Sequence, residues 1–430
     1  MEEKLIFNYK THKREPIALP YDDFQYKNLD EIIDTESISD NACKNFPDLS
    51  EPEVVRHFIR LSKLNFNIDE NFYPLGSCTM KYNPKVNELI SRFKGFSDIH
   101  PAQDVEDLQG ILRILFELGE YFKDLSGLPG VTLQPAAGAH GELTALFMMK
   151  AYFEDTAPNK NVILIPDTSH GTNPASAQTA GFKTVKIKSN ADGDTDLEDL
   201  KAHLNDDFAG IMLTIPNTLG LFDKHILEIS KLVRASGGFL YMDGANMNAL
   251  MGKVIPADVG VDVMHFNLHK TFSTPHGGGG PGSGPITVCS KLQRYLPNPL
   301  IIKSDNQYKF SYSNSGSIGK VKEYFGNIGV LLKAYIYIKS LGAEGLKRVT
   351  EFAVLNANYI RKSLEDVYKP AFSRICMHEC VFTNEYQEKS GVKTLHIAKR
   401  LLDYHIHAPT IYFPLIVHEA LMIEPTETES

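Results

Sequence analysis

Apolar positions along the chain follow two periodicities that take turns. From residue 107, Leu108, Ile111, Leu112, Leu115, Leu118 and Phe122 recur at helical spacing until Gly127 and Pro129 end the run. Short apolar runs of strand length then appear at 162–165, 184–187, 211–215, 239–242, 261–268 and 286–289, rich in β-branched and aromatic residues. Helical patterns at 142–153, 197–204 and 226–235 lie between them. This alternation predicts an α/β domain with a largely parallel sheet. From residue 326 a long helix pattern at 328–338 leads into another at 346–364, and mixed α+β segments follow to the end. Residues 1–104 instead hold short polar segments and seven prolines, Pro16, Pro20, Pro47, Pro52, Pro74, Pro84 and Pro101. The expected division is an N-terminal arm at 1–104, a large domain at 105–325 and a smaller α+β domain at 326–430.

Composition narrows this. The chain has 430 residues, which at roughly 150 per domain fits two to three domains. Its 44 basic and 53 acidic side chains give a formal net charge of −9 with no basic block, which argues against nucleic acid as the main partner. Apolar runs hold five residues or fewer, against the ~20 of a membrane span. The start, Met1-Glu2-Glu3-Lys4, lacks the pattern of a secretory or mitochondrial leader. Five scattered cysteines (Cys43, Cys78, Cys289, Cys376, Cys380) suit reduced thiols, so a cytoplasmic protein without membrane contact is expected.

Four short segments carry candidate chemistry. Lys270, in Asn267-Leu268-His269-Lys270-Thr271-Phe272, follows a strand and precedes the glycine-dense stretch 276–284. An amine there can be desolvated enough to attack a carbonyl; a solvated surface lysine is the plainer reading of Lys270 alone. Asp243 ends another strand and is followed by Gly244 and Ala245, small residues that let a flat ring approach. It could hold a ring nitrogen protonated, or simply cap the next turn. Gly138, Ala139 and Gly141 open an apolar helix pattern, where exposed N–H groups suit a phosphate. His170 follows a strand among polar residues, as a ring-stacking imidazole could.

Competing motifs fail on context. Gly277, Gly279 and Gly282 match G-x-G-x-x-G, but Pro281 interrupts them and a strand pattern follows where a dinucleotide site needs a helix. His276 with its glycines resembles a hydrolase oxyanion loop, yet no G-x-S-x-G nucleophile elbow exists. Cys376-Met377-His378-Glu379-Cys380 offers two thiols and one imidazole without a second pair, so no metal is expected. Cys78 reads as a partly buried inert thiol, with redox sensitivity as the alternative. Together, Gly138, His170, Asp243 and Lys270 lie at strand ends or helix starts of one α/β unit and have the layout of a pyridoxal phosphate site.

At this point the sequence resembles the glycine dehydrogenase (decarboxylating) family, the P-proteins of the glycine cleavage system, in its split form, as the second of two subunits. The segments that carry the likeness are 72–81 (Phe-Tyr-Pro-Leu-Gly-Ser-Cys-Thr-Met-Lys), 134–142, 169–177, 216–222, 243–249, 267–285 and 421–430. The resemblance implies the fold type I architecture of pyridoxal phosphate-dependent transferases. It further implies that Lys270 binds pyridoxal 5′-phosphate covalently, Asp243 pairs with its ring nitrogen, and His170 stacks on the ring opposite Ala245. Gly138, Ala139, His269, Gly277 and Gly278 would surround the cofactor, and Ser77, Thr79, Asn217 and Thr218 would be candidates for the glycine pocket. Implied partners are subunit 1 in an α2β2 heterotetramer, with the site completed between the subunits, and a lipoylated H-protein that takes the aminomethyl group as carbon dioxide leaves. The family continues some tens of residues past Glu424-Pro425-Thr426-Glu427-Thr428, so the C-terminal domain is expected to lack its last elements. Two other readings stand beside this one: an aminotransferase, which would need a basic residue for a second substrate carboxylate, and a non-catalytic assembly subunit, which the lysine disfavours.

Overall fold

The computed structural model describes residues 3–9, 47, 49–279 and 281–430. Pro16, Pro20 and Cys43 therefore lie outside the described residues. The chain divides into two compact units, 1–67 and 68–430.

In the first unit, the helix Glu51–Ser62 begins at Ser50, whose backbone N–H donates to Glu53 Oε2 at 2.8 Å, the reciprocal half of a capping box. Arg60 donates to both carboxylate oxygens of Glu3, at 2.8 and 2.9 Å, and holds that carboxyl down at about 2.

The second unit is built on a seven-stranded sheet of β1 (Gly130–Thr132), β2 (Val162–Pro166), β3 (Lys183–Ile187), β4 (Phe208–Thr214), β5 (Phe239–Asp243), β6 (Val263–His265) and β7 (Ile286–Val288). The spatial order is β1-β7-β6-β5-β4-β2-β3, and only β7 runs against its neighbours. The apolar runs are continuous because both faces of the sheet are buried, and period two sends alternate residues to opposite sides. Leu164, Ile211, Leu213, Leu240, Met242 and Met264 join one core, with Leu112, Leu115, Leu118 and Phe122 of the helix Gln109–Ser126 and Ile229 and Val233 of the helix Ile226–Ala235. Ile163, Ile165, Met212, Phe239, Tyr241 and Val263 join the other, with Leu146, Met149 and Phe153 of the helix Gly138–Thr156. Gly127, at φ 72°, ends the first of these helices in the left-handed conformation.

Three elements had no counterpart in the sequence pattern. β1 spans only three residues, the helix Thr172–Thr179 is mostly polar, and the hairpin of β8 (Leu300–Ser304) and β9 (Gln307–Ser311) turns through Asp305 and Asn306, both at positive φ. The two helix patterns after residue 326 form one helical run, Ile328–Leu364, broken at Gly342 where φ is 64°. A four-stranded antiparallel sheet follows, made of β10 (Lys369–Pro370), β11 (Cys380–Thr383), β12 (Thr410–Ile411) and β13 (Leu421–Ile423) in the order β10-β11-β13-β12.

The observed division at 67/68 differs from the expected boundaries at 104/105 and 325/326. Leu75 pairs with Ile423 beside β13, and the segment after it hydrogen-bonds repeatedly to the C-terminal residues. Residues 68–104 thus belong with the sheets and not with a separate arm. Among the described residues, no helix is long and apolar enough to cross a membrane.

Candidate active site

The loops that leave the C-terminal ends of β1, β2, β4, β5 and β6 converge on a cavity of about 370 Å³. Its wall contains Gly138 and Ala139 after β1, His170 after β2, Thr214 and Thr218 after β4, Asp243 and Ala245 at the end of β5, and His269 and Lys270 after β6. That edge of a parallel sheet is where open α/β folds bind ligands. Three larger hollows, of about 790, 650 and 430 Å³, open elsewhere, and none is lined by a buried charged side chain.

Lys270 is 8% exposed, and its amine has no hydrogen-bond acceptor among the described residues. Asp243 is 2% exposed; its Oδ1 accepts from the Ala245 N–H at 3.0 Å and sits 3.3 Å from His265 Nε2, and its Oδ2 accepts from Asn173 Nδ2 at 3.4 Å. Burial opposes the charge of Asp243, but His265, the Lys270 ammonium and the Ala245 N–H outweigh it and hold the carboxyl below its ordinary value. The imidazoles near the amine are pushed the other way. His269 falls to about 3 and His170 and His276 are also lowered, each chiefly by burial. Lys270 is therefore ringed by neutral histidines, with a charged carboxylate across the cavity.

The helix Gly138–Thr156 starts without a side-chain cap, which leaves its first N–H groups open toward the cavity. A Cβ on Gly138 would lie 1.8 Å from the side-chain Oδ1 of Asn267, which would have to turn aside, and one on Gly284 would lie 2.1 Å from the Ala137 carbonyl oxygen, a backbone approach too close for any other residue. Glu142, one turn into this helix, is 4% exposed; burial and then the nearby Asp243 raise its carboxyl to about 7.

Ser77 and Cys78 add to the wall from the turn Ser77-Cys78-Thr79, where Ser77 and Thr79 are both at positive φ. Two fully buried carboxylates hold this turn. Glu379 Oε2 accepts from the Ser77 N–H at 2.8 Å, and Glu424 accepts from the Thr79 N–H at 2.9 Å and from the Thr79 hydroxyl. Burial raises both acids, and the charge of Glu424 raises Glu379 further. His378 Nε2 lies 3.8 Å from Glu379 and 4.0 Å from Glu424. Cys78 is pushed up to about 11 by burial, which makes it a protonated thiol. The segment 376–380 read for metal chemistry puts Cys376 and Cys380 into an apolar cluster with Phe382 and Ile423.

Of the residues expected at the site, Lys270, Asp243, Ala245, His170, Gly138, Ala139, His269, Ser77 and Thr218 share this one cavity. Four do not reach it. Thr79 faces Glu424 behind the wall. Asn217 spends its side chain on a turn, donating to the Gly193 carbonyl at 2.9 Å and accepting from the Leu219 and Leu221 N–H groups at 3.1 Å. Gly277 and Gly278 are exposed outside the cavity. Conversely, Glu142, Thr172, Thr214, Asn246 and His276 line it without having been singled out as site residues. Glu142 carried a signal, since it sits in the small-residue segment that opens the helix; Glu424 lies in the family-like segment 421–430, but neither it nor Glu379 was marked as a group that holds the backbone of the turn at Ser77 and Thr79.

The residues present suit a phosphate-bearing aromatic aldehyde. Asn267 Oδ1 and His276 Nε2 are buried polar atoms without partners in the cavity wall, the helix start is open, and a buried amine and carboxylate face one another's space. The fold is that of the fold type I pyridoxal phosphate-dependent enzymes: glutamate decarboxylase of Lactobacillus brevis matches with TM-score 0.68 over 92% of this chain and 91% of that one at 14% identity. A crystal structure of glycine decarboxylase (P-protein) of the glycine cleavage system, in inhibitor-bound form, matches with TM-score 0.74 over 94% of this chain and 92% of that one at 17% identity. In sequence, the family described as glycine cleavage system P-protein matches residues 20–313, and glycine dehydrogenase, C-terminal domain, matches residues 349–430. The probable glycine dehydrogenase (decarboxylating) subunit 2 of Staphylococcus epidermidis is 52% identical over 427 residues, 99% of this chain and 85% of that protein. Its counterpart from Chlorobium chlorochromatii is 53% identical over 431 residues, 100% of this chain and 89% of that protein. The chain belongs to the glycine cleavage system P-protein family.

Proposed function

We propose that the cavity holds pyridoxal 5′-phosphate and that the chain, paired with a subunit 1, decarboxylates glycine and passes the aminomethyl group to the lipoyl arm of an H-protein. The observation that carries this reading is Lys270 and Asp243 facing one cavity, an amine without an acceptor and a carboxylate kept ionised. When bound, the cofactor supplies an electron sink for the pair released as carbon dioxide leaves. Lys270 is the attachment point, because its amine is desolvated and unengaged. Asp243, ionised, would hold a proton on the ring nitrogen through a charge-assisted hydrogen bond. His170, neutral, would pack against one face of the ring, and Ala245, small, would leave room at the other. The open N–H groups at Gly138 and Ala139 suit the phosphate, and the hydroxyls of Ser77 and Thr218 lie where a small amino acid would fit.

Among the described residues, the cavity wall carries no arginine and no lysine besides Lys270, so a second substrate carboxylate meets no cation among them. That favours glycine decarboxylation over transamination of a dicarboxylic acid. The relatives' designation as subunit 2 supports a companion chain, in our reading as an α2β2 heterotetramer in the cytoplasm. The test is glycine/carbon dioxide exchange by the chain mixed with subunit 1, pyridoxal phosphate and a lipoylated carrier. Exchange that Lys270→Ala abolishes is the expected result; amino transfer to an oxo acid without exchange overturns the reading.

A further inference from the structure

One partly buried chain of hydrogen bonds in the cavity wall is left over by the roles assigned above. His170 Nδ1 and Thr172 Oγ1 are 2.8 Å apart, and Thr172 Oγ1 is 2.8 Å from Glu142 Oε1. The other carboxylate oxygen of Glu142 accepts from Ser176 Oγ at 3.1 Å, and the Thr172 backbone N–H lies 3.3 Å from His170 Nδ1. We infer that Glu142 is a positioning residue for His170, deciding through the Thr172 hydroxyl which nitrogen of the imidazole carries its proton.

The argument is one of proton counting. A threonine hydroxyl has one proton to donate. If Glu142 is ionised it can only accept, so Thr172 donates to it and accepts from His170, whose proton then sits on Nδ1. If Glu142 is protonated it donates to Thr172, which in turn donates to Nδ1, and the imidazole proton sits on Nε2. The backbone N–H of Thr172 favours the second arrangement, because it also needs Nδ1 as an acceptor. Passing from one to the other conserves every proton: Glu142 hands one to Thr172, Thr172 hands one to Nδ1, and Nε2 releases one to the cavity. His170 stays neutral throughout.

The surroundings permit both states. Glu142 is faced by Tyr241 and Asp243 from β5 and by His265 from β6, while the helix Thr172–Thr179 offers it only the uncharged groups of Thr172, Asn173 and Ser176. His170 is faced by Asp243 and Lys270 across the cavity. With its acidity near 7, Glu142 exchanges its proton in the physiological range, while burial keeps His170 from charging. The coupling is a property of the chain itself and stands whatever group the cavity binds.

The test uses the full chain labelled with 15N-histidine, followed by NMR from pH 5.5 to 8.5, with His170 assigned as the signal missing from His170→Asn. Nδ1 is expected to pass from an unprotonated to a proton-bearing nitrogen as pH rises, with Nε2 moving oppositely and a midpoint near 7. Glu142→Gln and Thr172→Val are expected to remove the pH dependence, and Thr172→Ser to restore it. The proposal is overturned if wild-type His170 keeps one tautomer across the range, if it instead titrates to the doubly protonated imidazolium, or if Thr172→Val leaves the exchange intact. The wild-type measurement decides the matter even where a variant does not fold.

Discussion

The ammonium of Lys81 donates to the backbone carbonyl of Thr271 at 2.7 Å, fixing the residue next to Lys270 from a point 190 positions earlier in the chain. The same ammonium donates to Glu427 at 2.6 Å and to the Tyr337 hydroxyl at 3.1 Å, with 1% of the lysine side chain exposed. Lys81→Met leaves the largely buried Glu427 carboxylate without its cation, with the Tyr337 hydroxyl at 3.1 Å as the remaining donor. We expect a loss of about 3–5 kcal/mol, read as a fall in the urea midpoint. Adding Glu427→Gln should recover much of it; a double variant no more stable than the single one would show that the ion pair is not what Lys81 contributes.

Stability should also depend on pH through Glu142. Its folded-state carboxyl is raised to about 7 from an ordinary 4.5, so the folded chain keeps a proton that the unfolded chain gives up. The contribution to stability is therefore whole below pH 4.5 and is lost as pH climbs to 7, a change of about 3 kcal/mol at most. Urea midpoints at pH 5 and pH 8 should differ less in Glu142→Gln than in the wild type. Parallel pH profiles for the two proteins would rule out Glu142 as the source.

Gly138→Ala places a methyl group 1.8 Å from Asn267 Oδ1. Asn267 is the far end of a side chain and can turn aside, so the fold should survive while the phosphate cradle is disturbed. Affinity for pyridoxal phosphate, titrated by absorbance, should fall at least about tenfold, or ~1.4 kcal/mol. Unchanged affinity would place the phosphate elsewhere.

Cys78 lines the cavity but is pushed up to about 11 by burial. At pH 8 on the order of one in a thousand of these thiols is ionised. Iodoacetamide should label Cys78 far more slowly in the folded chain than in urea, by mass spectrometry of its peptide. Equal rates would mean a reactive thiol at the cavity mouth.

Much of this site is legible in the sequence. Lys270, Asp243, His170 and Gly138 stand at strand ends and a helix start because parallel strands buried on both faces must be continuous apolar runs, and their ends are marked where polar or small residues resume. The family likeness added roles that periodicity could not. The short β1, the polar helix Thr172–Thr179 and the β8–β9 hairpin were not legible, since none repeats an apolar pattern long enough to stand out. Glycine density at Gly277 and Gly278 marked only a flexible or close-approach loop; the family likeness made them cofactor contacts, and both are exposed outside the cavity.

The sequence by itself determined that strands and helices alternate, where the strands end, and which few chemical groups stand at those ends, because such patterns are local in the chain. Only the tertiary structure decided that residues 68–104 belong with the sheets, that Glu379 and Glu424 grip the backbone of the turn at Ser77 and Thr79, and that Glu142 reaches His170 through Thr172. Those contacts join residues up to 345 positions apart. Two of them are made to backbone N–H groups that every residue but proline possesses, so no pattern of side chains along the chain can announce them.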